Sequence, residues 1–291
     1  MFEGFETRDI QTSETTIHLV TAGDGPPLLL LHGYPQSHVM WHKVAPALAK
    51  QFTVVVPDLR GYGDSGKPTT DPEHLTYSKR SMAKDMVEVM EALGHPRFSV
   101  AGHDRGGRVT YRMALDWQDR MVKVAVLDIM PLFNTWNEMG WRQAIGSYHW
   151  QLLAQAAPLP ERLIGGDPIF YLHNCLGRWA GEGTVFTPEA MAEYERCFAT
   201  PEVIHGSCED YRAGASIDYA FDKEDHGKKR ITAPLFALWG DPRGNRDGEH
   251  FLAVWREWAD NVSGHAMKCG HFIPEELPEE TITELTAFFG I

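Results

Sequence analysis

The sequence predicts an α/β fold: a mostly parallel, twisted sheet flanked by helices, with a helical cap inserted ahead of its last strands. Three observations predict it. Short, continuously apolar runs alternate with stretches of helical period, as strands buried on both faces alternate with crossover helices. One of these runs, "RFSVAGHD", ends in a glycine-flanked turn centred on Asp104. The alternation then stops after Pro131 and resumes near residue 227. With 291 residues, 43% of them hydrophobic, the chain can bury one sizeable core, so a single domain with an insertion fits better than two independent ones. The expected division is a core of residues 1–133 and 227–291 and a helical cap of residues 134–226.

The elements follow in order. "TTIHLVTAG" reads as an early antiparallel strand, and "PPLLLLHG" as a buried strand ended by Gly33. "HVMWHKVAPALAK" has helical spacing, "FTVVVPDL" is a second buried strand, and "SKRSMAKDMVEVMEALG" is an amphipathic helix closed by Gly94. "RFSVAGHD" leads into the helix "RGGRVTYRMALDW", and "VKVAVLDIMP" is the next strand. The stretch rich in Trp, Tyr, His and Gly that follows reads as helices of irregular length, a cap that encloses a site. The strand rhythm returns with "APLFALWGD", "GEHFLAVWREWAD", "GHAMKCGHF" and the closing helix "PEETITELTAFF".

A net charge of -13 and a pI near 5.5 argue against a nucleic acid or an anionic membrane surface as partner. An anionic ligand would have to be held by local cations against the overall field. No signal-like start and no membrane-length apolar run is present, and the expectation is a cytoplasmic protein. Cys175, Cys197, Cys208 and Cys269 are too widely spaced for a disulfide framework or a zinc site. His32, His38 and His42 match no metal-ligand pattern, so neither a metal nor an organic cofactor is expected.

Parallel sheets bind ligands at the carboxyl ends of their strands. Gly102 and Gly106 around Asp104 permit the sharp turn of a nucleophile elbow, with Asp where the commoner G-x-S-x-G pattern has Ser. A carboxylate needs no proton removed and can displace a leaving group from saturated carbon, forming an ester. Hydrolysing that ester needs a base for water. His271 in "CGHFIPEE" occupies the expected place in chain order. Two carboxylates at strand ends could orient it: Asp128 after "VAVL" is preferred, and Asp241 in "WGDPRGN" is the alternative, because it could simply cap a turn. The backbone N–H groups of Tyr34, after "LLHG", and Arg105 would form the oxyanion hole.

"HGYPQSHVMWHKVAP", "PDLRGYGDS", "GHDRGGRV" and "CGHFIPEE" resemble the haloalkane dehalogenase and epoxide hydrolase branch of the α/β-hydrolase superfamily, and most closely its fluoroacetate (haloacetate) dehalogenases. The resemblance continues through "YHWQLLAQAAPLPERLIGGDP" and "CEDYRAGASIDY", so it covers most of the chain. It implies an α/β-hydrolase fold and a homodimer. It also implies that His149, Trp150 and Tyr211 bind the departing halide.

Arg105 and Arg108 flank the nucleophile and suit a small substrate that is itself a carboxylate, held by fork-shaped donors. In relatives acting on neutral haloalkanes or epoxides the residue after the nucleophile is typically Trp, and Arg105 departs from that pattern. N–H and O–H donors from His149, Trp150 and Tyr211 would stabilise a compact anion as its charge develops, and Trp179 would line the pocket. The expected activity is hydrolysis of fluoroacetate to glycolate and fluoride. The alternatives are chloroacetate or bromoacetate dehalogenation with little defluorination, epoxide hydrolysis with Tyr148 or Tyr219 partnering Tyr211, and a non-catalytic ligand-binding receptor on the same scaffold.

Overall fold

The computed structural model describes residues 1–183 and 185–290. Eight strands form one sheet: β1 (Glu6–Gln11), β2 (Thr16–Ala22), β3 (Pro27–Leu31), β4 (Thr53–Pro57), β5 (Phe98–His103), β6 (Met121–Leu127), β7 (Leu235–Gly240) and β8 (Val262–Met267). Their spatial order is β1-β2-β4-β3-β5-β6-β7-β8, with β2 antiparallel to both β1 and β4 and the remaining pairs parallel. The central strands are apolar throughout because helices cover both faces. Leu28 to Leu31 of β3 and all of β7 are buried. Each such Leu contributes about 1.5–3 kcal/mol by leaving water.

Most expected elements form, with three instructive differences. The "ETRDIQ" strand β1 carries no apolar alternation and is largely exposed; its pairing with β2 at the sheet edge, not burial, makes it a strand. The expected helix over "HVMWHKVAPALAK" splits into a 3-10 turn, His38–Trp41, and a short helix, Ala45–Leu48. Pro46 lacks an N–H and can only open a new turn there. The last strand ends at Met267, earlier than "GHAMKCGHF" suggests, which leaves His271 in a loop.

The long helices behave as their periodicity requires. Lys79–Ala92 is capped by Ser78, whose side chain accepts from the Ser81 N–H, and ends before Gly94, which takes a φ of +86°. Between β6 and β7 the described chain makes eight successive helices, from Leu132–Glu138 to Ile217–Asp225. Buried ion pairs tie this segment to the sheet layer. Arg112 of the Arg105–Asp116 helix donates to Asp222 at 2.6 Å and Asp225 at 2.7 Å, and the Tyr111 hydroxyl donates to Asp222 at 2.7 Å.

Candidate active site

β3 lies between β4 and β5, so the chain leaves the centre of the sheet in opposite directions on either side of it. The carboxyl ends of β3 and β5 therefore border the crevice where doubly wound sheets bind ligands. Asp104 projects there from a tight strand-to-helix turn with φ 45° and ψ -114°. A non-glycine residue in that region costs about 1–3 kcal/mol, and neighbouring packing must impose it. Two glycines make the packing possible. A Cβ on Gly102 would lie 2.3 Å from Thr110 Oγ1, and one on Gly106 would lie 2.4 Å from the His32 carbonyl oxygen.

The turn brings four groups together. The Tyr34 N–H donates to Asp104 Oδ1 at 2.8 Å. The Arg105 N–H opens the helix, but the Asp104 side chain makes no capping bond to that helix. His271 Nε2 lies 3.9 Å from Asp104 Oδ2, and its Nδ1 is 2.6 Å from Asp128 Oδ2. Asp128 also accepts from the Gly240 N–H at 3.0 Å and from Arg246 at 2.8 Å. Asp241 does not touch His271. It accepts from the Asn245 and Arg246 N–H groups, both at 3.0 Å, and closes its own turn.

These contacts set the protonation states. Burial alone would raise the Asp104 pKa, but His271, His103 and the two arginines outweigh it and hold the carboxyl below its ordinary range. Burial likewise works against Asp128, yet the hydrogen bond and charge of His271 bring it down to about 2. His271 itself stands above the ordinary histidine value: burial lowers it, and the Asp128 hydrogen bond and nearby carboxylates more than reverse that. With Nδ1–H directed at Asp128, Nε2 is the nitrogen that can accept a proton beside Asp104.

The two arginines are not equivalent. Arg105 is fully buried and engaged by Asp210 of the Pro201–Ala215 helix. Its Nε donates to Oδ2 at 2.9 Å, and Nη2 donates to Oδ1 at 2.7 Å and to the Asp210 carbonyl at 2.8 Å. Only Nη1 is without a partner. A carboxylate thus already occupies most of the Arg105 fork. Arg108 is buried, lines the cavity, and donates from Nη1 to the Met130 carbonyl at 2.7 Å, while its Nε has no partner. No carboxylate pairs with it among the described residues, and burial together with Arg105 lowers its pKa.

The cap supplies the opposite wall of a cavity of about 720 Å³, lined by Asp104, Arg108, His149, Trp150, Trp179 and His271 among others. The Tyr211 ring lies 5.7 Å from that of His149 and 5.9 Å from that of Trp150, so the three cap donors converge. His149 Nδ1 and the Tyr211 hydroxyl are buried without a hydrogen-bond partner. Burial and the surrounding cations bring His149 down to about 3, which makes it a neutral donor. Trp179 packs 4.3 Å from the His149 ring.

Sequence reasoning missed several members of this neighbourhood. Asp210, Lys79 and Tyr62 form a buried cluster under Arg105. A signal existed for Lys79, which shares the helix face of Met82, Met86 and Met90. His103, beside the nucleophile, donates from Nε2 to the His271 carbonyl at 2.7 Å and so braces the loop that carries the base. No group of three or more His, Cys, Asp or Glu side chains is placed to hold a metal ion among the described residues. No described helix is long and apolar enough to cross a membrane.

Comparison with known proteins agrees with this architecture. The family model described as the alpha/beta hydrolase fold matches residues 26–274. A fluoroacetate dehalogenase from Burkholderia sp is 43% identical over 291 residues, covering 100% of this chain and 95% of that protein. A soluble epoxide hydrolase from Corynebacterium sp. (strain C12) is 38% identical over 282 residues, covering 94% of this chain and 93% of the relative. A solved alpha/beta hydrolase structure from Nostoc sp PCC 7120 superposes with a TM-score of 0.96 at 51% identity, covering 100% of this chain and 99% of that one. With an elbow carboxylate, its histidine and a helical cap set on an eight-stranded sheet, the chain belongs to the α/β-hydrolase family, in the branch that holds the fluoroacetate dehalogenases and epoxide hydrolases.

Proposed function

We propose that the protein is a hydrolytic dehalogenase of small haloacetates that works through an ester on Asp104. The observation that carries the reading is Arg108: a buried guanidinium with no carboxylate partner among the described residues, beside a carboxylate nucleophile, in a chain of net charge -13. An unpaired buried cation is costly, and a carboxylate-bearing substrate would complete it. The Burkholderia relative, named a fluoroacetate dehalogenase, supports the same reading.

The proposed reaction follows from the hydrogen bonds. Tyr34 holds Oδ1, so Oδ2 is the free oxygen that attacks the α-carbon. As the C–O bond forms, the carbon–halogen bond breaks and the halide leaves with the bonding pair toward the donors of His149, Trp150 and Tyr211. His149 Nδ1 and the Tyr211 hydroxyl have no hydrogen-bond partner among the described residues, so they have no competing bond to break as charge develops. His271 then takes a proton from water, whose oxygen attacks the ester carbon. The resulting oxyanion at Oδ1 stays on the Tyr34 N–H. Collapse breaks the bond between the ester carbon and Oδ2, the His271 imidazolium returns its proton to the departing oxygen, and Asp104 is regenerated as the hydroxy acid leaves, glycolate from fluoroacetate. Asp128 stabilises the imidazolium in between.

Epoxide hydrolysis, the activity named for the Corynebacterium relative, is less well supported. It would need a second phenol beside Tyr211 to donate a proton, and of the two expected candidates Tyr219 already donates to Asn137 at 3.1 Å, while Tyr148, which accepts from Asn174 at 2.9 Å, is not among the residues lining the cavity. Halide release from fluoroacetate and chloroacetate by the wild type and by Asp104→Asn is the test. Release that disappears in the variant is expected. Silence on both acids, with turnover of an epoxide, would overturn the proposal.

A further inference from the structure

Asp210 accepts more side-chain hydrogen bonds than any other carboxylate near the nucleophile, yet it lies on the cap and takes no part in the proposed reaction. It is fully buried, on the Pro201–Ala215 helix, one residue before Tyr211. Its oxygens accept from Arg105 Nε and Nη2, from the Tyr62 hydroxyl at 2.6 Å and from the Lys79 ammonium, which also pairs with Asp218 at 3.4 Å. The Arg105 guanidinium, pinned this way, sits with Cζ 4.1 Å from the centre of the Tyr211 ring.

The position of Arg105 in the chain gives this arrangement its consequence. Arg105 follows Asp104 directly, and a guanidinium released from its partner would turn to the nearest other anion. The nearest in sequence is the nucleophile itself. A direct Arg105–Asp104 ion pair would occupy the attacking oxygen and remove the free Nη1 that faces no partner now. Asp210 holds two of the three guanidinium nitrogens, Nε and Nη2, and Tyr211 follows it directly on the same helix.

We propose that Asp210 is a positioning residue: from the cap it holds Arg105 off the nucleophile and against the Tyr211 ring, and so sets how the substrate carboxylate is received. The proposal rests on the haloacetate reading. It predicts that Asp210 acts only through Arg105, which a double-mutant cycle can separate from a general loss of stability. Asp210→Asn should lower kcat/KM for chloroacetate by about 100-fold, the scale of a misplaced positioning group. In an Arg105→Lys background the same replacement should cost no more than about 3-fold. The neutral analogue chloroacetamide is attacked by the same Asp104 oxygen but brings no carboxylate to be received, so in the wild-type background Asp210→Asn should cost it only about 10-fold.

Additive losses in the two backgrounds, or an equal loss on chloroacetamide, would overturn the proposal. If Asp210→Asn does not fold, Tyr62→Phe replaces it. That change removes one bond to Oδ2 and no charge, and an unchanged kcat/KM for chloroacetate would then decide against Asp210. If the wild type releases no halide from any haloacetate, the dehalogenase reading fails by itself. Glycolate titrated calorimetrically still decides the positioning role: binding weakened by Asp210→Asn in the wild-type background but not with Arg105→Lys supports it, and unchanged binding overturns it.

Discussion

The sheet floor and the helical cap meet at one cavity and are built on opposite principles. On the floor the nucleophile, base and orienting carboxylate are already bonded into one network: Tyr34 N–H to Asp104, His271 to Asp128, Asp128 to Gly240 and Arg246. On the cap His149 Nδ1 and the Tyr211 hydroxyl are buried without a hydrogen-bond partner among the described residues. A closed network holds geometry and protonation before any ligand arrives. Unsatisfied donors store the cost of their burial until an anion pays it back by accepting from them. In the proposed reaction the floor would then carry the bond-making and bond-breaking steps, which need a fixed nucleophile and base, and the cap would carry the choice of leaving group.

The comparison predicts unequal consequences when each side is broken. The largest effect belongs to the base. His271→Ala should reduce turnover by about 10⁴-fold or more while leaving ester formation intact, so intact-protein mass spectrometry after exposure to chloroacetate should find the Asp104 adduct. Absence of an adduct would contradict the two-step division of labour. Next comes the orienting carboxylate. Asp128→Asn should cost about 10³-fold in kcat at neutral pH. It should also move the pH profile. His271 acts only when deprotonated, so activity rises with pH through its pKa, and that limb lies above the ordinary histidine value in the wild type. Loss of the Asp128 charge must shift the limb to lower pH, and a shift upward would show that Asp128 does not support the imidazolium.

Damage to the cap should depend on the halogen. Tyr211→Phe removes one unpartnered donor, and the fall in kcat should be about 10²-fold for fluoroacetate against about 5-fold for chloroacetate, since fluoride depends most on donors as it leaves. Equal losses would mean that Tyr211 serves packing alone. The smallest effect lies at the cavity mouth. Arg178 and Arg243 line it, exposed, with no carboxylate partner among the described residues. Raising the salt from about 0.01 M to about 0.5 M should lower kcat/KM for chloroacetate by about 3-fold and leave chloroacetamide unchanged, because screening weakens steering of an anion only.

Legibility followed the same division. Asp104 could be read because a buried strand, two glycines and a helix surround it within a few residues, a local pattern with one structural meaning. His271 followed from chain order. The sequence favoured Asp128 over Asp241, which could simply cap a turn, but did not settle the choice, since both follow a strand; the loop geometry puts Asp128 2.6 Å from the imidazole and turns Asp241 onto its own backbone. The edge strand β1 escaped for another reason: its residues are polar, and pairing leaves no mark on hydropathy. Arg105 and Arg108 look alike on one helix turn, and nothing local distinguishes a guanidinium met by Asp210, 105 residues away, from one left open.

By itself, then, the sequence determined the layered α/β architecture, the nucleophile and its elbow, and the base. Each is encoded by short-range periodicity or by the steric need for glycine beside a tight turn. Tertiary structure alone decided which carboxylate orients His271, which arginine stays uncompensated and which cap donors remain free. Those outcomes depend on which distant groups come within about 3 Å of one another, and hydrogen bonds and ion pairs act over that distance whatever the separation along the chain.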